Sequence, residues 1–455
     1  MLGRCPGAIP AIFINGTLAT RPWTLASAVW IACKFLRFPD MLTVSPQQRN
    51  SMKQSLLAIT SSAAIMGTAF QAAAATFAQD VEFLRQHTDL VVLSDKSGTA
   101  QVAVAPAWQG RVMTTTARGP KGASFGWVNR ELIGSGKLQP HINVFGGEDR
   151  FWLGPEGGQF SVFFAKGSPF DLEHWFTPAA VDTERFEVVT KASDHILCRS
   201  QIQLTNYSGT RFNLEVNREV RLLSVANTLA GLGAKLPSGV ESVGFESVNS
   251  VRNTGNHPWK KDTGLLSIWI LGMLNASPES TIVIPFERGS ESERGPAVND
   301  TYFGKVPADR LVVRNGVLFF RADANYRSKI GVSPRRAKPV LGSYDAANRT
   351  LTLVKFTFHS GVADYVNSAW ELQKEPFRGD VANSYNDGPP KPGAKQLGRF
   401  YELESSSPAL ALHPGESATH VQQTIHLQGS DKMLDSVARA ILGVGLEDIK
   451  TVFKK

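Results

Sequence analysis

Two carboxylates stand close together in the stretch from Phe400 to His426. Tyr401 and Leu403 alternate with Glu402 and Glu404, a period of two that predicts a strand with both carboxylates on one face. Such a pair, beside small hydroxyl residues, is typical either of a salt-bridged rim or of a surface that faces a sugar. The rest of the chain must decide between these two interpretations.

A turn and a second strand follow the carboxylate pair. Pro408 ends the first strand because proline cannot donate to a β-ladder. The sequence His413-Pro414-Gly415-Glu416 is typical of a turn. Alternation from Thr419 to Leu427 then predicts the second strand, with Thr419, Val421, Gln423, Ile425 and Leu427 on one face.

A glycine-rich stretch at 141–160 combines groups that a sugar site needs. Glycines allow tight turns and close backbone approach. Arg150 offers a forked donor, Trp152 a flat apolar face and Glu156 a carboxylate, and His141 begins the stretch. We therefore predict substrate contacts here; the alternative is a structural β-hairpin with an ion pair at its rim.

A second polar stretch, 245–259, leads into the apolar strand pattern that contains Trp269. Asn253 shares one strand face with Asn249, and we predict that Asn253 and Trp269 help to position a ligand. His257 lies in a loop, where it is either a solvated side chain or an acid catalyst.

The third polar stretch spans 370–390. Glu371, Asp380 and Asn383 are its candidate binding residues, with Asp387 nearby. This density of carboxylates and amides is compatible with a Ca²⁺ loop, with a hydrogen-bonding rim or with a turn rich in Asp and Asn. The spacing is not that of an EF-hand, and we predict no metal ligands.

Strands and turns must position all three stretches. From residue 80 to 430 the chain consists of short alternating or apolar runs separated by Gly, Pro, Asp and Ser. Helical patterns lie only at the ends, at Ala78–Gln86, Asp431–Ala440 and Leu446–Phe453. This order predicts an all-β fold, a large antiparallel sandwich over 80–430 with a short helical tail at 431–455.

Two motifs for other chemistry fail on inspection. The run Gly134–Lys137 resembles a phosphate-binding loop, but Glu131 and Leu138 occupy its first glycine and Ser/Thr positions. The run Gly122–Gly126 fits G-x-S-x-G without the preceding apolar strand and following helix of a nucleophile elbow. Paired cysteines and His-Glu-x-x-His are absent from the sequence, so we predict no cofactor.

The first 75 residues suggest export. Residues 52–75 have a short basic start, an apolar run and an Ala-rich cleavage signal, the order of a signal peptide. The apolar run is shorter than the roughly 20 residues of a membrane span, so we expect no membrane attachment after cleavage and a periplasmic or secreted product. We interpret 1–51 as an over-extended gene start; the alternative is a genuine N-terminal extension.

Removing this leader changes the charge. It carries six of the 48 Lys and Arg and one of the 40 Asp and Glu, so the net charge falls from +8 to +3. That balance does not favour nucleic acid as a partner. Cys198 is the cysteine that remains, and its strand pattern predicts a buried small hydrophobe rather than a reactive thiol.

The carboxylate strand and its turn resemble a motif of the galactose mutarotase-like superfamily. Aldose 1-epimerases end with L-E-x-x-x-x-P, a spacer, L-x-P-G-E and a histidine. Leu403–Pro408 is similar with one residue fewer before the proline, and Leu412–Glu416 and His420 complete the pattern. Other phrases, such as the run from Asn383 to Pro390, are similar to an exported bacterial family of unknown function within that superfamily.

The resemblance implies a mutarotase-like β-supersandwich, in which Glu404 is the general base for an anomeric hydroxyl and Glu402 a neighbour. One feature departs from the epimerase pattern. The mid-chain histidine that is the general acid has no counterpart at 248–255, which leaves His141, His257 or Arg252 as possible substitutes.

Three functions remain open from the sequence. The first is an exported sugar epimerase with Glu404 as base, in which Arg150, Trp152, Asn253 and Trp269 position the ring. The second is a non-catalytic glycan-binding or scaffold module. The third is a glycoside hydrolase or lyase that pairs Glu404 with Glu371 or Asp380. The partner in each case is a sugar or oligosaccharide.

Overall fold

A computed structural model describes residues 75–454. Its strands are β1 (Val91–Ser94), β2 (Gln101–Ala105), β3 (Arg111–Thr116), β4 (Arg150–Gly154), β5 (Glu187–Lys191), β6 (His195–Thr205), β7 (Arg211–Leu222), β8 (Glu241–Asn253), β9 (Ser267–Asn275), β10 (Ser280–Pro285), β11 (Leu311–Arg314), β12 (Val317–Arg321), β13 (Ser328–Val332), β14 (Val340–Asp345), β15 (Thr350–Phe356), β16 (Ala382–Asn386), β17 (Phe400–Ser406) and β18 (Ser417–Gln428). Its helices are α1 (Phe77–Arg85), α2 (Arg130–Ser135), α3 (Ala179–Asp182), α4 (Val225–Gly231), α5 (Glu291–Arg294), α6 (Asp431–Leu442) and α7 (Leu446–Thr451), with 3-10 turns at Pro106–Trp108 and Gly119–Lys121.

These strands form three antiparallel sheets. A ten-stranded sheet has the order β11-β12-β10-β14-β15-β18-β8-β7-β6-β5, and a five-stranded sheet has the order β13-β16-β17-β9-β4. A small sheet, β1-β2-β3, completes the set. The predicted all-β class and antiparallel sandwich are therefore confirmed.

Apolar side chains from both large sheets share one core. Leu403 of β17 and Ile330 of β13 belong to the same buried cluster as Ile282 of β10 and Leu341 of β14. The opposite face of the five-stranded sheet, which we call the free face, points away from this shared core, because successive side chains on a strand point to opposite faces.

Strand β18 forms as expected, but its polar face is the one that lies between the sheets. His420 and His426 are at most 1% exposed, and His420 Nε2 lies 2.8 Å from the hydroxyl of Ser405 on β17. Burial lowers the pKa of His420 to about 3, so the ring is neutral. Ile425 and Leu427 instead pack against the C-terminal helices. The histidine of the turn motif is thus part of the sandwich interior.

The helical ends match the sequence prediction closely. The first helix is Phe77–Arg85, and Thr76 caps it in a capping box with Gln79. The tail helices α6 and α7 lie at 431–442 and 446–451, separated by Gly443 at φ 72°. The tail packs on the ten-stranded sheet as part of one buried cluster.

Two sequence predictions fall on residues that the structure does not describe. The signal peptide at 52–75 lies outside the described residues except for its last position, and the proposed gene extension at 1–51 lies wholly outside them. Between residues 75 and 454, no helix is long and apolar enough to cross a membrane.

Candidate functional site

The free face of the five-stranded sheet carries a row of polar and aromatic side chains. Glu404 stands opposite Asn383 of β16 on one side and Leu271 of β9 on the other. Arg150 of β4 stands opposite the same Leu271. Directly opposed residues project to the same side of a sheet. The face therefore presents Arg150, Trp152, Trp269, Lys329, Asn383, Tyr385, Glu402 and Glu404.

Glu404 is held from two sides. Lys329 Nζ donates to Glu404 Oε2 at 3.0 Å, and the indole nitrogen of Trp269 donates to the same oxygen at 3.0 Å. The side chains of Lys329 and Glu404 are 8% and 0% exposed. The other oxygen, Oε1, is buried without a hydrogen-bond partner among residues 75–454.

The ammonium of Lys329 stays charged in this setting. Burial favours loss of its proton, but Glu404, Glu156 and Glu402 together raise the pKa of Lys329 above its ordinary value. The ammonium also lies 4.7 Å from the centre of the Trp269 ring, within range of a cation–π contact. Lys329 is therefore a fixed positive charge.

A second buried ion pair lies beside the first. Arg150 Nη2 donates to Glu402 Oε1 at 2.6 Å, and its guanidinium carbon lies 4.8 Å from the Trp152 ring centre. Burial raises the pKa of Glu402 to about 7, although Arg150 opposes this shift. Glu402, the predicted neighbour of Glu404, therefore has Arg150 as its ion-pair partner.

Asp380 and Asn383 are linked through a tyrosine. The Tyr302 hydroxyl donates to Asp380 Oδ2 at 2.6 Å, and Asn383 Nδ2 donates to the Tyr302 oxygen at 3.1 Å. Asn299 Nδ2 also donates to Asp380 Oδ2, at 3.1 Å. Burial, followed by the charge of Asp380, raises the pKa of Tyr302 well above its ordinary value, so the phenol keeps its proton.

A cavity of about 390 Å³ opens above these groups. Its lining combines carboxylates, cations, amides and aromatic rings: Glu156, Leu172, Asn299, Thr301, Tyr302, Phe303, Arg327, Lys329, Ser368, Ala369, Trp370 and Glu371. Lys329 forms part of the wall, whereas Glu404 lies behind it. Burial raises the pKa of Glu156 despite the nearby Lys329, so this carboxyl holds a proton more strongly than an exposed one.

Most of the predicted site residues meet at this cavity. Glu156 and Glu371 lie in its wall, and Glu371 is exposed at the rim. The remaining members line the wall or the sheet face behind it: Arg150, Trp152, Trp269, Asp380, Asn383, Glu402 and Glu404. The stretches 141–160 and 370–390 and the carboxylate strand around Glu404 thus contribute to one place.

Two predicted binding residues lie elsewhere. Asn253 is on the ten-stranded sheet, where its amide donates to the carbonyls of His257 and Leu412 at 2.9 and 3.0 Å. His141 Nδ1 lies 2.7 Å from the Trp175 carbonyl and borders a different groove. Neither side chain lines the cavity, because Asn253 belongs to the ten-stranded sheet and His141 to a separate groove.

The expected substitutes for the missing histidine are also remote. The backbone of His257 accepts from Asn253, and Arg252 Nε donates to the Gly415 carbonyl at 3.1 Å. The groups beside Glu404 that can carry a proton are Lys329 and Glu156. Lys329 was not among the residues predicted from the sequence; the available signal was the single charged residue of the strand Ser328–Val332, between Ser328 and Ile330.

The described residues contain no cluster of side chains arranged like a metal site. Within residues 75–454, no three His, Cys, Asp or Glu side chains converge as a metal site would require. Asp387, beside the suggested Ca²⁺ loop, accepts instead from Tyr385 Oη at 2.7 Å and from the Gly398 amide at 2.7 Å. The stretch around Asn383 is strand β16 rather than a turn.

A family model matches residues 75–453, which is almost all of the described chain. The chain belongs to the family of unknown function DUF6786. This DUF6786 protein has no match among curated proteins.

Among solved structures, the DUF6786 chain is similar to a candidate aldose 1-epimerase from Escherichia coli K12, at 11% identity and a TM-score of 0.46, covering 75% of this chain and 99% of that one. It is similar to a galactose mutarotase-like protein from Lactobacillus casei at 10% identity and a TM-score of 0.43, covering 75% and 100%. These likenesses are to the superfamily that the sequence resembles. At these identities, and at TM-scores below 0.5, they carry nothing about the site or the activity.

Proposed function

We propose that the chain binds a sugar in the 390 Å³ cavity, that Glu404 and Glu156 transfer protons there, and that the Lys329 ammonium stabilises negative charge. One observation carries this proposal. A buried lysine–carboxylate pair places Lys329 in the cavity wall and Glu404 directly behind it, and a second carboxyl group with a raised pKa, Glu156, lies in that wall. Perturbed ionisable groups that converge on a cleft are typical of functional sites.

The cavity suits a small polar ligand. Its volume falls within the range of about 300–1,000 Å³ that is common for small-molecule sites. Trp370 offers an aromatic face for the C–H side of a sugar ring, while Asn299 and Tyr302 offer polar groups for hydroxyls. Aromatic and hydrogen-bonding groups thus occur together.

The charges suit proton exchange at an anomeric centre. Opening a sugar ring requires that the anomeric hydroxyl lose a proton and that the ring oxygen gain one. Glu404 has one unpaired oxygen that can accept the first proton, and Glu156 can supply the second because its raised pKa favours the protonated form. The Lys329 ammonium stabilises negative charge that develops between them.

A non-catalytic glycan-binding module is the second candidate. The complete burial of Glu404 favours it, because Oε2 already accepts from Lys329 and Trp269. In this alternative the Glu404 carboxylate only fixes Lys329 as a hydrogen-bond donor in the cavity wall. The two candidates share the binding site and differ in whether bound sugar exchanges anomers.

Saturation-transfer NMR on a panel of free aldoses distinguishes these candidates. The wild-type protein should accelerate exchange between the α and β anomers of at least one sugar. Glu404→Gln and Glu156→Gln should each reduce that acceleration by about 10²-fold or more, in line with the loss of one acid–base partner.

Glu187→Gln is the matched control, since Glu187 lies on the exposed edge strand β5 away from the cavity. Circular dichroism of each variant verifies folding. Sugar binding without accelerated exchange by the wild-type protein would favour the binding module, and absence of any binding across the panel would contradict both candidates.

We also propose that the protein is exported and cleaved near residue 75, as the order of basic, apolar and Ala-rich segments suggests. Expression of the full chain in an exporting bacterium should yield an exported product whose intact mass corresponds to a chain that begins close to Thr76. Retention of residues 52–75 in the exported fraction would contradict this proposal.

A further inference from the structure

Arg327 places a guanidinium in the cavity wall that no carboxylate of residues 75–454 contacts directly. Asp387 is linked to it only through the Tyr385 hydroxyl, which donates to Asp387 Oδ1 at 2.7 Å. Arg327 Nε lies 3.3 Å from the Tyr385 hydroxyl, and its guanidinium carbon lies 3.9 Å from the centre of the Phe303 ring. Among residues 75–454, no carboxylate forms a salt bridge with Arg327, and its two terminal nitrogens have no hydrogen-bond partner.

The two buried cations of the site are already paired with carboxylates. Lys329 pairs with Glu404, and Arg150 pairs with Glu402. Asp380 accepts hydrogen bonds from neutral donors, which satisfy its oxygen without a cation. Arg327 can therefore bind an anion without breaking either of these ion pairs.

Two carboxyl groups share the cavity wall with Arg327, and neither neutralises it by direct contact. Burial raises the pKa of Glu156, which reduces its negative charge, and Arg327 only partly opposes that shift. Glu371 is exposed at the rim, where water screens it. A ligand anion can thus reach the free side of the guanidinium.

We propose that the sugar bound in this cavity carries a carboxylate, as a uronic acid does, and that Arg327 binds this carboxylate with its two terminal nitrogens. The planar guanidinium fork matches the two oxygens of a carboxylate. Stacking on Phe303 fixes the plane of the fork, which reduces the entropy lost on binding. This inference rests on the proposed sugar-binding function and specifies the class of sugar.

A titration of matched sugar pairs tests the inference on the full chain. The pairs are glucose with glucuronate, galactose with galacturonate and mannose with mannuronate. Binding of each sugar is measured by calorimetry or by NMR line broadening. For the pair that binds, the wild-type protein should favour the acid over the neutral sugar. Arg327→Met should weaken binding of the acid by about 10- to 100-fold, the range for loss of hydrogen bonds to a charged group, and leave the neutral sugar nearly unchanged.

Two further variants sharpen the test. Arg327→Lys keeps the charge without the fork and should recover only part of the preference. Arg211→Met removes an exposed arginine of strand β7 whose side chain forms no hydrogen bond or salt bridge within residues 75–454, and it should change neither affinity.

An equal loss of affinity for the acid and the neutral sugar in Arg327→Met would overturn the carboxylate assignment. So would tighter binding of galactose 6-phosphate than of galacturonate. Binding of neither member of any pair to the wild-type protein would instead contradict the proposed sugar-binding function itself, so the two failures are distinguishable.

Discussion

Lys329 Nζ lies 3.0 Å from Glu404 Oε2, and the two side chains are 8% and 0% exposed. They reach each other from β13 and β17, with β16 between them. Their contact therefore crosses a neighbouring strand on the free face of the sheet. Burying two charges costs several kcal/mol per ion, so an apolar pair would suit a purely structural position at least as well. The pair makes sense where a cavity needs a fixed charge.

The first prediction concerns the stability of this pair. Glu404→Gln leaves the Lys329 ammonium buried without its counter-ion and should lower the free energy of unfolding by about 3–5 kcal/mol. Adding Lys329→Met should recover much of that loss, because the uncompensated charge is then gone. Urea unfolding of both single variants and the double variant measures the coupling. Additive effects within about 0.5 kcal/mol would show that the two groups do not interact.

The second prediction is a pH dependence from Glu402. Its pKa in the folded protein is about 7, above the ordinary 4.5, because of burial. The protonated form thus stabilises the fold fully below pH 4.5, and this contribution is lost as pH rises to about 7. Relative to Glu402→Gln, the wild-type stability should fall by up to about 3 kcal/mol across this window. A constant difference between the two proteins would contradict the assignment.

The third prediction concerns a glycine behind the site. A Cβ at Gly272 on β9 would lie 2.3 Å from the carbonyl oxygen of Glu148. Gly272→Ala should therefore cost about 1–3 kcal/mol by overpacking. Gly231→Ala, where a Cβ meets nothing within 4 Å at the end of helix α4, is the matched control. Equal melting temperatures for the two variants would argue against the close contact.

Much of the candidate site could be predicted from the sequence as a group of neighbouring residues, because strand periodicity and residue chemistry agreed there. The alternation around Glu402 and Glu404 placed both on one face, and the structure has them on one face of β17. Arg150 and Trp152 lie on that same side of the sheet, because β9 pairs with both β4 and β17. The local sequence pattern is sufficient to predict the positions of such residues, since the face on which each side chain lies follows from the alternation of its own strand.

The errors arose where polar residues fill both faces of a strand. Asn383 faces the cavity side of β16, while Ser384 is buried on the other face with its hydroxyl on the Glu402 carbonyl. No apolar alternation indicates a strand there, so the sequence was compatible with a Ca²⁺ loop, a hydrogen-bonding rim or a turn. Asn253 lies away from the cavity for a different reason. Which sheet a strand joins depends on long-range pairing, here with β7 and β18, and residue spacing cannot show that pairing.

The fourth prediction concerns Cys198, which is buried on β6. Burial raises the pKa of its thiol to about 11, so little thiolate forms near neutral pH. In the native protein, iodoacetamide at pH 8 should leave the Cys198 peptide unmodified, whereas in urea it should alkylate it fully. Mass spectrometry of tryptic peptides reads both states. Rapid alkylation of native Cys198 would contradict its burial.

The central claim is that Lys329 and its carboxylate partners form a sugar site, and chemical-shift titration tests it most directly. With ¹³C,¹⁵N-labelled Lys329 in the full chain, addition of the sugar that binds should shift the ammonium resonance with the same midpoint as calorimetric binding, and Glu187→Gln should leave that midpoint unchanged. A sugar that binds without moving the Lys329 resonance would place the site elsewhere and contradict the account.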